Sequence, residues 1–350
     1  MKIYTVGINE AGQRLDKYLF KLLKNAPSNL LYKQLRCKNI TLNRAKAKGN
    51  EILKSGDEVR VFMADETIAK FAGESTAARG FGADASFLKV VYEDENIILA
   101  DKPAGVLSQK ASPKDVSMNE YLISYLSANG MSGDGLRTFT PAFCNRLDRN
   151  TSGLIIGGKS LAGLQGVSDI IKNRSLEKYY LAAVCGVIKD SGRIEGWLLK
   201  DGRTNKVTVK SREFEGSSRI VTEYEPLSHN GGLTLLKLKL VTGKTHQLRA
   251  HLASIGHPIL GDPKYGDRRI NSEFKAARQL LHSYEVIFPK MEGELSYLSG
   301  KSFRTEIPEV FAKLFDIKES HVRRKEESPV RRKVPRGNVK GAVNGYSRAE

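Results

Sequence analysis

The sequence predicts an α+β protein: a central, largely antiparallel sheet with flanking helices, preceded by a small α/β unit of its own. Three observations carry this reading. Strand-length apolar or alternating runs are interspersed with amphipathic helical stretches, without the regular strand–helix–strand alternation that a parallel sheet needs. A segment rich in Gly, Ala, Ser and Thr, from about Ala64 to Ala85, divides the chain into unequal parts. Near the middle of the longer part, the charged loop Asn145-Arg146-Leu147-Asp148-Arg149-Asn150 and the small turn Thr151-Ser152-Gly153 feed the apolar run Leu154-Ile155-Ile156.

In chain order, residues 1–63 form the first unit. Leu15, Tyr18, Leu19, Leu22 and Leu23 recur at helical spacing after Gly12-Gln13-Arg14, and a second helix starts at Ser28, a good cap, carrying Leu30, Leu31, Tyr32 and Leu35. Asn39 to Asn43 alternates like a strand, as does Glu58 to Phe62 after the Gly56-Asp57 turn. Residues 64–85 read as a flexible linker and 86–317 as the main domain. There Phe87–Tyr92 and Asn96–Ala100 bracket an acidic turn like paired strands. Leu161, Leu164, Val167, Ile170 and Ile171 mark an amphipathic helix, and Tyr180–Val187 and Leu233–Val241 are strand-rich. His246 to Ile255 is expected as a helix closed by Gly256, with Pro258 just beyond. Residues 318–350 set Arg323-Arg324-Lys325, Arg331-Arg332-Lys333 and Arg336 among Pro, Gly, Ser and Glu with almost no apolar side chains, a composition expected to stay disordered. Such a tail suits an electrostatic arm and a solubilising segment equally.

Composition narrows the class. The chain carries 57 Lys+Arg against 39 Asp+Glu, a formal net charge of +18, and its pI is near 9.7. That balance favours a polyanionic partner and salt-sensitive binding. The three cysteines, Cys37, Cys144 and Cys185, are widely spaced, with no disulfide framework or C-x-x-C site, as expected in a reducing cytoplasm. No apolar run approaches the ~20 residues of a membrane span, and no signal-peptide core stands at the start. No G-x-G-x-x-G follows a strand and no Walker loop is present. His246, His251 and His257, spaced five and six apart, do not share a helical face as zinc ligands would, so no metal site is expected.

An R-x-D pair alone ordinarily means a surface ion pair. Here it is not alone. The run Arg146-Leu147-Asp148-Arg149-Asn150-Thr151-Ser152-Gly153-Leu154 resembles the signature loop of the RluA-type pseudouridine synthases, H-R-L-D-x-x-T-S-G in its usual form. Three further stretches match that family in order: Tyr92 to Gly105, Lys178-Tyr179-Tyr180-Leu181-Ala182, and Thr242-Gly243-Lys244-Thr245-His246-Gln247-Leu248-Arg249-Ala250-His251. Gly256-His257-Pro258-Ile259-Leu260-Gly261-Asp262 follows. The resemblance covers about residues 86–310, and it departs from the family at Asn145, where histidine is frequent, and at Lys244, where arginine is usual. The first unit resembles the αL RNA-binding motif of a small-subunit ribosomal protein, with Arg36, Lys38 and Arg44 around the helix-to-strand junction and Arg14 ahead of the first helix. Thirteen Lys/Arg there face five acidic residues, a local net of +8.

The resemblance implies isomerisation of uridine to pseudouridine within RNA. The glycosidic C–N bond breaks, the uracil rotates, and a C–C bond forms to carbon 5; nothing is oxidised and no group departs, so no cofactor is implied. Asp148 matches the catalytic aspartate, acting as nucleophile toward the ribose or as base. Arg249 matches the buried arginine that pairs with it, and Tyr180 the tyrosine that packs on the uracil and assists at carbon 5. Tyr179, pointing to the other strand face, is read as packing. The target base must leave its stack, and the resemblance implies that Arg146 fills the gap. Arg149, Lys102 and Lys244 are read as phosphate contacts. Thr151 and Ser152 lack the G-x-S-x-G spacing of an acyl-transfer serine and are read as a turn or cap. The partner expected is RNA, ribosomal rather than transfer, because an αL unit ahead of such a domain is usual in enzymes of large-subunit rRNA; a cytoplasmic monomer is expected. Two other classes compete: a non-catalytic RNA-binding ribosome-assembly factor, and a glycosidase. Asp148, Tyr180 and Arg249 together argue against the first. The second normally needs a paired carboxylate acid, which the matched motifs do not supply.

Overall fold

The computed structural model describes residues 1–72, 83–131, 135–202, 204 and 206–317; the basic tail and residues 73–82 of the expected linker lie outside the described residues. The first unit runs β1 (Lys2–Thr5), α1 (Leu15–Leu22), α2 (Ser28–Arg36), β2 (Ile40–Leu42), β3 (Ala45–Lys46), β4 (Glu58–Val61) and α3 (Asp65–Ala72). Its strands lie in the order β1-β4-β2-β3, every pair antiparallel. Leu15, Leu19 and Leu22 of α1 meet Leu31 and Leu35 of α2 over Ile40, Val59 and Val61. The alternation along β4 sends both valines inward and leaves Glu58 and Arg60 at the surface.

The linker reading is corrected over residues 65–72. They form α3, whose Ile68 and Ala72 complete this same core. Asp65 and Glu66 in the first turn and Lys70 in the last complement the helix dipole. Thr67, Ala69 and Ala72 are among the small residues that suggested a linker, yet they lie in this helix.

The main body continues with β5 (Lys89–Glu93), β6 (Ile97–Lys102), α4 (Met118–Ala128), α5 (Gly135–Thr138), β7 (Ala142–Phe143), β8 (Ser152–Gly158), α6 (Leu161–Lys172) and β9 (Glu177–Cys185). Then come β10 (Gly192–Lys200), β11 (Val207–Lys210), β12 (Ser218–Asn230), β13 (Leu233–Leu240), α7 (Gln247–Ser254), α8 (Arg268–Glu273), β14 (Leu281–Ile287), β15 (Ser302–Arg304) and α9 (Glu309–Phe315). One sheet runs β11-β10-β12-β13-β9-β14-β8-β6-β5, with β15 on β14 and β7 on β8. Only β14 and β8 pair in parallel among the described strands. No helix among the described residues is long and apolar enough to cross a membrane.

Period-two alternation divides the sheet into two buried faces. Tyr180, Ala182 and Val184 of β9 join Ile155, Leu236 and Leu238 beneath α4 and α7. Their neighbours Leu181, Ala183 and Cys185 face the other way, onto Phe311 and Phe315 of α9, while Leu154 and Ile156 of β8 meet Val167 and Ile170 of α6. The first unit touches the body directly: Thr138 donates to Glu10 Oε1 at 2.7 Å, and the Leu161 amide to Asn9 Oδ1 at 3.1 Å.

Candidate active site

The charged loop between β7 and β8 is held at nearly every residue. The Cys144 amide donates to Ile156 O, and Asn145 Oδ1 accepts the Ile156 amide at 2.8 Å. Asn145, one of the two departures from the family pattern, thus ties the loop to β8. The Ser108 hydroxyl donates to Leu147 O at 2.9 Å and accepts the Leu147 amide at 3.0 Å. The Thr151 amide closes the turn onto Asp148 O. Gly153 is needed just beyond: its φ is +105°, and a Cβ there would collide with the Ser283 carbonyl of the parallel strand β14.

Lys102 has a different place from the phosphate contact expected of it. It is fully buried at the end of β6, and its ammonium donates to three carbonyls, Pro103 at 2.9 Å, Val106 at 2.7 Å and Arg149 at 3.0 Å. Three N–H groups meet three acceptors, which leaves none for a phosphate. Burial pushes its pKa down to about 8, so it remains an ammonium at neutral pH. Lys102 therefore clamps the loop that carries Asp148 from beneath.

Asp148 stands on that loop with its side chain 27% exposed, at the floor of a cleft of about 820 Å3. Arg249 reaches it from α7, Nη1 donating to Asp148 Oδ2 at 2.8 Å. The same guanidinium makes a two-pronged bond to Asp262, Nε to Oδ2 at 2.7 Å and Nη2 to Oδ1 at 2.8 Å. Burial opposes both charges, but their mutual bonds outweigh it: Asp262 lies below the usual carboxylate range and Arg249 above its ordinary value. Asp262 also accepts the amides of Lys264 and Tyr265. Arg249 is thus fixed by a buried carboxylate and spends its remaining edge on the half-exposed one. Both partners of Asp148 crowd Oδ2; Oδ1 has no hydrogen-bond partner among the described residues.

The T-G-K-T-H-Q-L-R run explains how α7 delivers the arginine. Gln247 is buried, its amide oxygen accepting from Thr242 Oγ1 and the Lys244 amide while its nitrogen donates to Val221 O and Thr222 Oγ1. His251, one turn on, shares Thr222 at 3.0 Å. This face anchors the helix to β12, and His246 and Arg249 turn toward Asp148. His257 instead bonds Cys185 O. Among the described residues no group of three or more His, Cys, Asp or Glu is placed to hold a metal.

Tyr180 lines the same cleft from β9, largely buried, its pKa pushed up to about 12 by burial, so its hydroxyl keeps its proton. Tyr179 lies on the opposite face, donating to Glu177 at 2.7 Å beneath the ammonium groups of Lys237 and Lys239. Ser152 is held in a chain to His282 Nδ1 at 2.8 Å, whose Nε2 meets Thr305 at 2.6 Å. It begins strand β8, where a turn or cap was expected.

Arg146, Arg149 and Lys244 are exposed and line the cleft. In the first unit Arg36, Lys38 and Arg44 are exposed, and so is Arg14, which is paired with Asp16 through Nε at 3.2 Å and Nη2 at 2.7 Å, with Tyr32 donating to the same carboxylate. The structure thus gathers Asp148, Tyr180, Arg249, Arg146, Arg149 and Lys244 at one cleft and withdraws Lys102. It adds Asp262, Tyr265 and His246, to which the sequence reading gave no part in catalysis. Asp262 lay inside a quoted motif, and its position just after Leu260-Gly261 was the available signal of burial.

The RNA pseudouridylate synthase family model matches residues 96–254. An uncharacterized RNA pseudouridine synthase of Mycoplasma genitalium is 32% identical over 284 residues, 80% of this chain and 87% of its own. The ribosomal large subunit pseudouridine synthase D of Borreliella burgdorferi is 29% identical over 306 residues, 87% and 89% of the two chains. The ribosomal large subunit pseudouridine synthase C of Escherichia coli is 28% identical over 304 residues, 82% and 88%. Among solved structures, human RNA Pseudouridylate Synthase Domain Containing 4 superposes with a TM-score of 0.53 at 21% identity, over 65% of this chain and 92% of that one, a likeness of fold.

Proposed function

The chain belongs to the RNA pseudouridine synthase family, isomerases that act on RNA, and from there we propose that it converts uridines of large-subunit ribosomal RNA in the cleft around Asp148. The observation that carries the site is the shared guanidinium. Arg249 is locked to a buried carboxylate, Asp262, and offers its free edge to the more exposed Asp148, beside the buried ring of Tyr180. A cation so held keeps one oxygen of Asp148 occupied, leaving Oδ1 as the reacting oxygen. Two roles suit that oxygen: attack on the ribose with cleavage of the C–N bond, or removal of a ribose proton to give a glycal. The freed uracil then rotates against Tyr180 and bonds through carbon 5 to carbon 1′, displacing the carboxylate in the first route and taking the ribose proton back from it in the second, and the proton of carbon 5 passes to N1 of the uracil. Atoms and electrons balance within the nucleotide, so the proposal includes no cofactor.

The flipped base needs something in its place and something to hold the displaced strand. Arg146, exposed two residues before Asp148, suits the first, and Arg149 and Lys244 at the cleft suit phosphates. The first unit, with Arg36, Lys38 and Arg44 exposed around the α2–β2 junction and the β2–β3 turn, is proposed as an αL-type reader of structured RNA; Arg14, tied to Asp16, contributes less. The printed names of the Borreliella and Escherichia relatives support ribosomal RNA as substrate. A cytoplasmic monomer completes the reading.

Pseudouridine mapping of total RNA from cells with and without the gene tests it. Loss of one or more positions in large-subunit rRNA is expected. Loss confined to transfer RNA would remove the ribosomal part, and an unchanged map would remove the activity.

A further inference from the structure

His246 precedes α7 with φ 54° and ψ 15°, in the left-handed region. A side chain is uncommon there, and such strain persists where the surroundings demand it. What it achieves is the placement of the ring: Nδ1 lies 2.9 Å from the Tyr265 hydroxyl and Nε2 lies 3.8 Å from Asp148 Oδ2. The side chain is 8% exposed.

Counting hydrogens fixes the tautomer. Tyr265 Oη already accepts the Val207 amide at 2.9 Å, and its one hydrogen is available to Nδ1. The opposite assignment, with Nδ1–H donating, would leave that hydrogen unused and aim an Nε2 lone pair at a carboxylate. Nδ1 therefore accepts and Nε2–H faces Asp148. Tyr265 is itself held: its ring contacts His246 edge-on with centroids 5.7 Å apart and lies 5.2 Å from the Arg249 guanidinium, and its amide donates to Asp262. The buried carboxylate that fixes Arg249 also fixes the turn that orients His246.

We propose that His246, neutral and carrying its hydrogen on Nε2, is a positioning residue that donates to Asp148 Oδ2 when the target nucleotide enters the cleft, so that Oδ2 is held by two donors and Oδ1 alone meets the ribose. At 3.8 Å the bond is not yet made, and contacts of this kind tighten in substrate complexes. The charged groups facing the ring are Asp148, Arg249, Lys264 and Asp262; burial first, then Arg249 and Lys264, hold it below its ordinary pKa against the pull of the two carboxylates.

The proposal rests on Asp148 as the reacting carboxylate of a pseudouridine synthase. The test uses the full chain and a structured rRNA fragment that it converts. His246→Ala should slow single-turnover conversion about 10- to 100-fold with RNA affinity unchanged, the worth of a hydrogen bond to a charged group. His246→Gln, which keeps an N–H donor, should recover part of the rate, and Tyr265→Phe should lose less than His246→Ala. Nitrogen NMR of the wild-type ring should show the hydrogen on Nε2, and Tyr265→Phe should move part of the population to Nδ1. Conversion by His246→Ala at the wild-type rate overturns the proposal. So does a wild-type ring protonated on Nδ1, a readout that stands even if the alanine variant fails to fold. A wild-type protein that makes no pseudouridine would overturn the reading of the reaction itself, whereas an Nδ1 hydrogen in an active enzyme overturns only the role of His246.

Discussion

Two cations at and beneath the cleft are buried and fully engaged: Arg249 between two carboxylates, Lys102 among three carbonyls. In the first unit, Arg36, Lys38 and Arg44 are exposed to solvent. The same residue types do different work because their surroundings differ. A buried cation is costly unless its bonds are satisfied, and once satisfied it fixes geometry. A solvated one orders little and is free to exchange its counterions for phosphates. Rate should therefore follow the cleft, and salt-dependent affinity should follow the outer surface.

The sharpest way to break this division is Asp148→Asn. The change keeps shape and removes the charge and the nucleophile or base. Single-turnover conversion should fall about a thousandfold or more, while affinity for a structured rRNA fragment changes little. Residual turnover within tenfold of wild type would take the chemistry away from Asp148. A parallel collapse of affinity would show that the cleft, not the outer surface, holds the RNA.

Much of this division was legible in the sequence, because the matched motifs are contiguous and helical or strand periodicity is local. The α1 and α2 helices, the β5–β6 pair, α6, β9 and α7 all stand where periodicity put them. What escaped depends on partners far along the chain. Asp262 meets Arg249, yet a motif residue shows no partner until α7 is folded against it. The parallel pairing of β14 with β8 joins residues 130 positions apart. Lys102 was misjudged because lysine is normally a surface residue. The counter-signal was its parity: it shares a strand face with Ile98 and Ala100, which pack in the core beneath α4 and α7. The α3 helix was hidden by the small residues within and after it, although its acidic first turn and basic last turn announced it.

Lys102→Met sharpens the same comparison from the buried side. It keeps the length and apolar character of the side chain but leaves the Pro103, Val106 and Arg149 carbonyls without their donor. Stability should fall by roughly 3 kcal/mol, read as a lower denaturation midpoint, because buried acceptors lose their bonds. Conversion should fall with it, since Arg149 O lies next to Asp148. The salt slope of RNA binding should not change. A slope shallower by about one, with normal stability, would restore Lys102 as a phosphate contact.

The smallest effect on rate, and the most telling for the outer surface, is expected from Arg36→Glu, Lys38→Glu and Arg44→Glu together. All three side chains are exposed, so the fold should persist. If these side chains face phosphates, the dependence of log affinity on log salt should become shallower by about two to three for a structured rRNA fragment. Affinity at low salt should fall most, and single-turnover conversion at saturating protein should stay within a fewfold of wild type, because Asp148, Tyr180 and Arg249 are untouched. A short unpaired RNA should lose much less, having no structure to dock and no stacked base to extrude. An unchanged slope would mean that the basic face of the first unit does not meet the RNA, and the affinity would then have to come from the cations at the cleft, Arg146, Arg149 and Lys244.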